Sequence, residues 1–309
     1  MAHTNEIIKK ILQNKETRLW VCQKFTSGLS DKFVVELFYK LATGKKLPLD
    51  DPKTLNEKIQ WYKLYYHNPL MIKCADKYTV RDYVRKRGLS CILNTNYGVY
   101  ENAKEIDFQN LPERCFIKCT HNSNGNYAWD RKKENNISEL TNYFNKMLKL
   151  NAFYTSREWC YKNIKPRIIV EKYIETEEGQ DLIDINIFCF NGEPKLVLWN
   201  VGLSDKEGKH AIGKRAVFDE SFNELRIETA MPSLPYGSIK KPDVFDKLIE
   251  YAKKLSKPFP FVRVDFFYTG KEIFFGELTF YSAGGYGKYA PDKWNYIIGD
   301  WFVLPEKLL

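Results

Sequence analysis

Two short arms near the C-terminus carry an arginine and two carboxylates at alternating positions. Arg263-Val264-Asp265-Phe266-Phe267 and Ile273-Phe274-Phe275-Gly276-Glu277-Leu278-Thr279 are rich in β-branched and aromatic residues. Thr269-Gly270-Lys271-Glu272 between them has turn chemistry, so the segment reads as a β-hairpin. Side chains alternate faces along a strand. Arg263 and Asp265 therefore share one face of the first arm, and Glu277 and Thr279 one face of the second. A three-residue loop with Gly270 in a left-handed conformation would bring those faces together. Two carboxylates beside an arginine suit a hard cation that carries phosphate. The alternative is a salt-bridged surface hairpin. Val264, Phe266, Leu278 and Phe280 on the opposite face are apolar enough to be core, which favours a charged face lying over a packed scaffold.

A second set lies in the middle of the chain. Lys118 ends an apolar strand and is followed by His121-Asn122-Ser123-Asn124-Gly125-Asn126. Small polar residues and a glycine let backbone N–H groups turn towards an anion, and Lys118 adds a fixed positive charge. The spacing is not that of a Walker A loop, and a plain surface turn is an equal reading. Arg167 to Ile174 reads as a strand leaving into an acidic linker, Glu175 to Asp181, before Asp184-Ile185-Asn186-Ile187-Phe188 begins another. Taken alone this is an ordinary hairpin. Cys115 and Cys119 have the look of a metal pair, but strand alternation puts both with Ile117 on a core face and Lys118 on the other. With histidines scattered at 3, 67, 121 and 210, the pattern argues against a zinc site.

These residues need a scaffold, and 309 residues can bury a sizeable core in two or three lobes. Hydrophobic residues at 44% and aromatics at 15% indicate a globular chain. No apolar run approaches the roughly 20 residues that cross a bilayer. Residues 1 to 15 lack a signal-peptide core, and seven cysteines without a regular framework suit a reducing compartment. The cytoplasm is expected, with peripheral contact at the inner membrane face as the alternative. Residues 5 to 25 carry Ile7, Ile8, Ile11 and Leu12 among lysines, which reads as a docking helix or as a basic helix on an anionic leaflet. The net charge of +9 favours an acidic partner, but no RNA-binding or zinc-finger pattern accompanies it, so nucleic acid is not expected.

Helices are expected at Asp31 to Leu41, ending near Gly44, at Thr54 to Tyr66, and at Asp76 to Arg87, ended by Gly88. Residues 1–72 read as a helical entry lobe. Strands follow near Val99 and at Cys115 to Cys119, Arg167 to Ile174, Ile183 to Phe190 and Pro194 to Trp199. Residues 202–241 read as a long loop or flap, and Pro242 to Leu255 as a helix feeding the hairpin. The order is α+β and lacks regular βα alternation.

Five short motifs in order resemble the TupA-like ATP-grasp proteins, named for teichuronopeptide biosynthesis, over roughly residues 30 to 305. They are Leu55-Asn56-Glu57-Lys58-Ile59-Gln60-Trp61, Asp76-Lys77-Tyr78, Arg157-Glu158-Trp159, Val262-Arg263-Val264-Asp265 and Phe275-Gly276-Glu277-Leu278-Thr279. The resemblance implies an ATP-grasp fold, two α+β lobes clasping ATP, at 73–174 and 175–309. It assigns Lys77 and Lys118 to ATP phosphates and the His121 to Asn126 loop, with Ser123 and Gly125, to their flexible cover. Glu171, Lys172 and Ile174 match the adenine hinge, and Asp184 the ribose-binding acid. Asp265 and Glu277 match the magnesium carboxylates, with Thr279 where the wider superfamily commonly has Asn. Arg263 matches the basic residue beside the transferred phosphoryl group and, with Lys118, is the catalytic expectation. The narrower family also leads one to expect a lysine near Asn186, which is absent here.

The implied activity is an ATP- and Mg²⁺-dependent carboxylate–amine ligase working through an acyl phosphate. Its substrate would be a sugar acid or amino acid in cell-surface polysaccharide. The rivals are a kinase phosphorylating a glycan hydroxyl and a non-catalytic glycan-binding protein. Ser282-Ala283-Gly284-Gly285-Tyr286-Gly287 after the metal strand reads either as a backbone approach to the acyl group or as a glycine turn.

Overall fold

The computed structural model describes residues 15–122, 125–177, 180–203 and 211–309. In chain order the helices are α1 (Lys15–Thr26), α2 (Asp31–Thr43), α3 (Leu55–Tyr65), α4 (Pro69–Ala75), α5 (Val80–Lys86), α6 (Ile137–Met147), α7 (Phe153–Ser156), α8 (Phe245–Ser256) and α9 (Lys293–Trp301). The strands are β1 (Asn96–Tyr100), β2 (Arg114–Cys119), β3 (Asn126–Asp130), β4 (Ile168–Lys172), β5 (Ile183–Phe190), β6 (Glu193–Val201), β7 (Lys214–Phe218), β8 (Phe261–Tyr268) and β9 (Ile273–Thr279). The architecture is α+β, and both sheets are antiparallel.

The described residues fall into two units. The first takes residues up to Lys46, Asp76–Tyr78 and Thr95–Tyr173; the second takes Leu47–Ala75, Thr79–Asn94 and Ile174 onwards. Helices α1 and α2 lie in the first unit, and α3 and α4 in the second.

In the first unit the sheet order is β1-β4-β2-β3. Cys115, Ile117 and Cys119 of β2 and Ile168 and Val170 of β4 bury one face against Leu140, Phe144 and Met147 of α6. Burial pushes the Cys115 and Cys119 thiols up to about 12. The two cysteines are core residues, as the alternation implies. Arg157, from the third motif, stands at φ 54 with its side chain buried. It lies 3.2 Å from Asp31, donates to the Thr26 carbonyl, and sits over the Phe153 and Tyr154 rings. Its role is to pin α7 to the start of α2.

The second unit's sheet runs β7-β6-β5-β8-β9. Phe245, Leu248, Ala252 and Leu255 of α8 are buried on its apolar face, formed by Ile185, Ile187, Val262 and Val264. A Thr54–Glu57 capping box starts α3. Lys58 Nζ bonds the Gly299 and Phe302 carbonyls at the end of α9, at 2.9 and 3.0 Å, satisfying groups that a helix C-terminus leaves open.

Two expectations change. The helix over Asp76 to Arg87 is interrupted: Asp76 Oδ1 accepts from the Tyr78 N–H at 2.8 Å and Lys77 N–H bonds the Thr120 carbonyl. An Asp side chain offers the backbone an alternative to the helix, and residues 76–78 join the first unit between α4 and α5. The 202–241 region is not wholly irregular, because β7 pairs with β6 over Val197 to Val201. Its residues 204–210 lie outside the described residues, as do the apolar positions Ile7 to Leu12 of the N-terminal segment. β3, α6 and α9 were not anticipated.

Candidate functional site

The polar face of the second unit's sheet collects its chemistry along one row. Pairing sets Asn186 of β5 opposite Asp265 of β8, and Asp265 opposite Glu277 of β9. Arg263 is opposite Thr279, and Asp184 opposite Asn200. Arg263 grips Asp265 with two bonds, Nε to Oδ1 at 2.7 Å and Nη2 to Oδ2 at 2.5 Å. The same Nη2 is 3.7 Å from Glu277 Oε1 and donates to Thr279 Oγ1 at 3.2 Å. Thr279 in turn donates to Glu277 Oε1 at 2.8 Å. Two carboxylates, an arginine and a hydroxyl are therefore one cluster.

Gly270 takes the left-handed conformation expected of it between β8 and β9. Four residues, Thr269 to Glu272, form the turn, with Gly270 at φ 89. Left uncorrected, that turn would place Glu277 opposite Val264, on the core face. The register shifts by one between Asp265 and Phe266, leaving Gly276 as a β-bulge that returns Glu277 to the face of Asp265.

Burial dominates the electrostatics. It pushes Asp265 up to about 7 against the pull of Arg263, and Glu277 and Asp184 add to the rise. It raises Asp184 as well, opposed by Arg263 and by the bond from Asn186 Nδ2 at 2.5 Å. Burial works against the charge on Arg263, but Asp265, then Glu277 and Asp184, more than reverse this and hold the guanidinium above its ordinary range. The guanidinium stands as the counter-cation where the acids converge. Magnesium is ordinarily held by one or two carboxylates, with substrate phosphates and water completing its shell. Asp265 and Glu277 fit that donor set, with the Thr279 hydroxyl beside them.

In the first unit Lys118 projects from the polar face of β2, and its Nζ lies 2.6 Å from Glu171 Oε2 on β4. Their side chains are only 19% and 8% exposed, which makes this a largely desolvated pair. Lys77 Nζ donates to the Asn122 carbonyl at 2.7 Å. Asp76 Oδ2 accepts from Arg167 at 2.6 Å, and Arg167 lies over the Tyr78 ring, so the residues flanking Lys77 are fixed. Gly125 stands at φ 78, and a Cβ there would meet Cys119 Sγ at 2.7 Å, so the turn into β3 requires glycine. The His121 ring is fully buried, with Nε2 3.0 Å from the Leu150 carbonyl. Burial lowers its pKa. It faces the core, and its side chain supports the loop from beneath. Ser123 lies outside the described residues. Lys172 is exposed at the end of β4, its N–H bonded to the Thr95 carbonyl at 2.9 Å. Ile174 follows, half-buried, in irregular chain.

The model of the family described as TupA-like ATPgrasp matches residues 57–303 of the 309. The chain belongs to that family. No curated protein matches it. Among solved structures, an L-amino acid ligase from Bacillus licheniformis is 12% identical, with 85% of this chain and 57% of that one covered and a TM-score of 0.48. D-alanine–D-alanine ligase from Bacillus anthracis is 15% identical, with coverages of 67% and 57% and a TM-score of 0.37. An ATP-grasp ligase, PsnB, complexed with a minimal precursor, Mg and ADP, is 11% identical, with 73% and 58% covered and a TM-score of 0.37. The chain spans a little over half the length of each.

This TupA-like ATP-grasp chain also uses residues that motif reading passed over. Arg215 Nε donates to Asn200 Oδ1 at 2.6 Å, and Asn200 Nδ2 to Asn186 Oδ1 at 2.9 Å, extending the polar row across β7, β6 and β5. The signal was available as single asparagines at alternating positions in otherwise apolar strands. On α3, Asn56, Gln60 and Lys63 lie on one face, spaced by four and three. Asn56 exchanges two bonds with Gly287, while Gln60 and Lys63 both donate to the Gly284 carbonyl, at 3.1 and 2.8 Å. Ala283 there stands at φ 50, and Ser282 Oγ accepts from Arg263 at 3.2 Å. The first motif thus holds the 282–287 loop against the arginine of the fourth.

Proposed function

We propose that the chain is an ATP-grasp ligase that spends MgATP to join a carboxylate to an amine, acting on a sugar acid or amino acid in cell-surface polysaccharide synthesis. The observation that carries this reading is the Arg263–Asp265–Glu277–Thr279 cluster within a chain of this family. A carboxylate oxygen attacks the γ-phosphorus of ATP, and ADP leaves. The amine then attacks the carbonyl carbon of the acyl phosphate, releasing phosphate and a proton. Asp265 and Glu277, with Thr279 adjacent, would hold magnesium, which would supply charge neutralisation at the phosphates.

Lys77 and Lys118 neutralise phosphate oxygens, and backbone of the 121–126 segment covers them. Glu171, Lys172 and Ile174 receive the adenine, and Asp184 the ribose. Arg263 releases one Asp265 oxygen and turns its freed N–H groups to the transferred phosphoryl group, where a preorganised donor counts most. ATP as substrate suits the cytoplasm, and no helix among the described residues is long and apolar enough to cross a membrane.

The test is calorimetric titration of MgATP into the wild type and Asp265→Asn. Affinity for MgATP should fall by tenfold or more, about 1.4 kcal/mol, while magnesium-free ATP is held equally by both. Equal MgATP affinity in the two proteins would remove Asp265 from the site.

A further inference from the structure

A cavity of about 350 Å³ opens beside β7 in the second unit, lined by Arg215, Arg226, Glu228, Tyr236, Leu225 and Leu234 among others. Its walls are tied by backbone bonds. Leu225 N–H bonds the Val217 carbonyl, Leu234 N–H the Arg215 carbonyl, and Glu228 exchanges both its bonds with Ala290. The space is therefore built into the fold, and its volume falls within the range of small-molecule sites.

Among the described residues, two arginines and two glutamates line it without pairing to one another. Arg215 bonds only neutral groups, Asn200 Oδ1 at 2.6 Å and Thr229 Oγ1 at 3.3 Å. Burial lowers its pKa, and Arg263 presses in the same direction. Arg226 lies 4.7 Å from the centre of the Tyr236 ring. Among the described residues neither arginine has a carboxylate within ion-pair distance, whereas Glu224 is engaged by the Gly237 N–H. Arg215, half-buried, and Arg226, exposed at the opening, present two guanidinium groups to one cavity, and guanidinium matches a carboxylate in bidentate geometry. Arg215 also continues through Asn200 to Asn186, the cross-strand partner of Asp265. The hydrogen-bonded row from the cavity ends at Asp184, and strand pairing sets Asn186 in that row beside Asp265 of the acidic cluster.

We infer that this cavity is the subsite for a carboxylate-bearing small molecule the size of one sugar acid or one amino acid, with Arg226 and Arg215 binding its carboxylate. Glu228 is placed to take hydroxyls or an ammonium. This inference rests on the ligase reading for the use made of the bound acid, but the binding itself does not.

The experiment titrates D-glucuronate, L-glutamate and neutral D-glucose at millimolar concentration into the full chain, its Arg226→Gln and Arg226→Lys variants, and Arg215→Gln, followed by calorimetry. MgATP is titrated separately into each. At least one acid should bind the wild type, and which one tells sugar acid from amino acid. Arg226→Gln should weaken that acid about tenfold or more, as expected for loss of a charged hydrogen bond, with partial recovery in Arg226→Lys and unchanged MgATP affinity. Binding of neither acid, equal binding by wild type and Arg226→Gln, or equal binding of glucose would overturn the subsite. Arg226-dependent acid binding in a protein without measurable MgATP affinity would sustain the subsite and sink the ligase reading.

Discussion

Asp265 and Glu277 are direct cross-strand partners because Gly276 is bulged out of the β8–β9 register. The four-residue turn has the wrong parity for that pairing, and the bulge corrects it. A Cβ on Gly276 would lie 2.9 Å from the Asp265 carbonyl oxygen, so the bulge also needs a residue without a side chain. Gly276→Ala should destabilise the protein by about 1–3 kcal/mol, the range for overpacking, and raise the magnesium concentration at half-saturation. Deleting Gly276 should leave Glu277 directly after Phe275 and still opposite Asp265 in a regular ladder, so a folded deletion variant should keep MgATP turnover. A folded deletion variant that loses turnover would refute the reading that the bulge serves to set Glu277 opposite Asp265.

Lys118 is the counter-charge of a buried glutamate, which changes what its removal should do. Truncating one partner of a desolvated pair costs about 3–5 kcal/mol, whereas replacing both with apolar groups is often neutral. Lys118→Met should therefore lower unfolding free energy by about 3 kcal/mol, and Lys118→Met with Glu171→Leu by distinctly less. Denaturant titration of the four proteins in this cycle measures the coupling; additive losses would mean the pair is unimportant to stability. Any effect of Lys118 variants on nucleotide binding should be read on the folded fraction only.

Buried His121 makes stability sensitive to mild acid. Its folded-state pKa is lowered from 6.5 by burial, so below that value the unfolded chain binds more protons than the folded one. Stability from this residue is complete above 6.5 and is lost as the pH falls towards the folded value. Comparing urea unfolding at neutral pH and at about pH 5.5, the wild type should lose more stability than His121→Gln, which keeps a hydrogen-bonding group for the Leu150 carbonyl and cannot charge. Equal losses would show that His121 is not the acid-sensitive group.

Local chemistry made much of this legible. Thr54 and Glu57, Gly44, and the alternation of Cys115, Ile117 and Cys119 act through neighbours in sequence, so capping, helix ending and facing could be read directly. Arg263, Asp265, Glu277 and Thr279 share a face as expected, although through a bulge that no single-strand pattern reveals, because Gly276 has meaning only against the opposite strand. His121 looked like a loop residue because its acceptor, the Leu150 carbonyl, is distant in sequence. β7 was hidden for a related reason: its five residues adjoin a polar stretch, and only pairing with β6 defines them. Asn186, Asn200 and Arg215 come from three strands, and their row exists only once the sheet is assembled.

The central claim is that a carboxylate is activated at its carbonyl carbon. An acyl phosphate is electrophilic there, whereas a phosphate ester of a hydroxyl is not, so hydroxylamine distinguishes them. The measurement is incubation of the protein with MgATP, hydroxylamine and either D-glucuronate or L-glutamate, with ADP and hydroxamate quantified together. The ligase account predicts equal amounts of both, absent in Asp265→Asn. ADP accompanied by a stable phosphorylated sugar and no hydroxamate would contradict it.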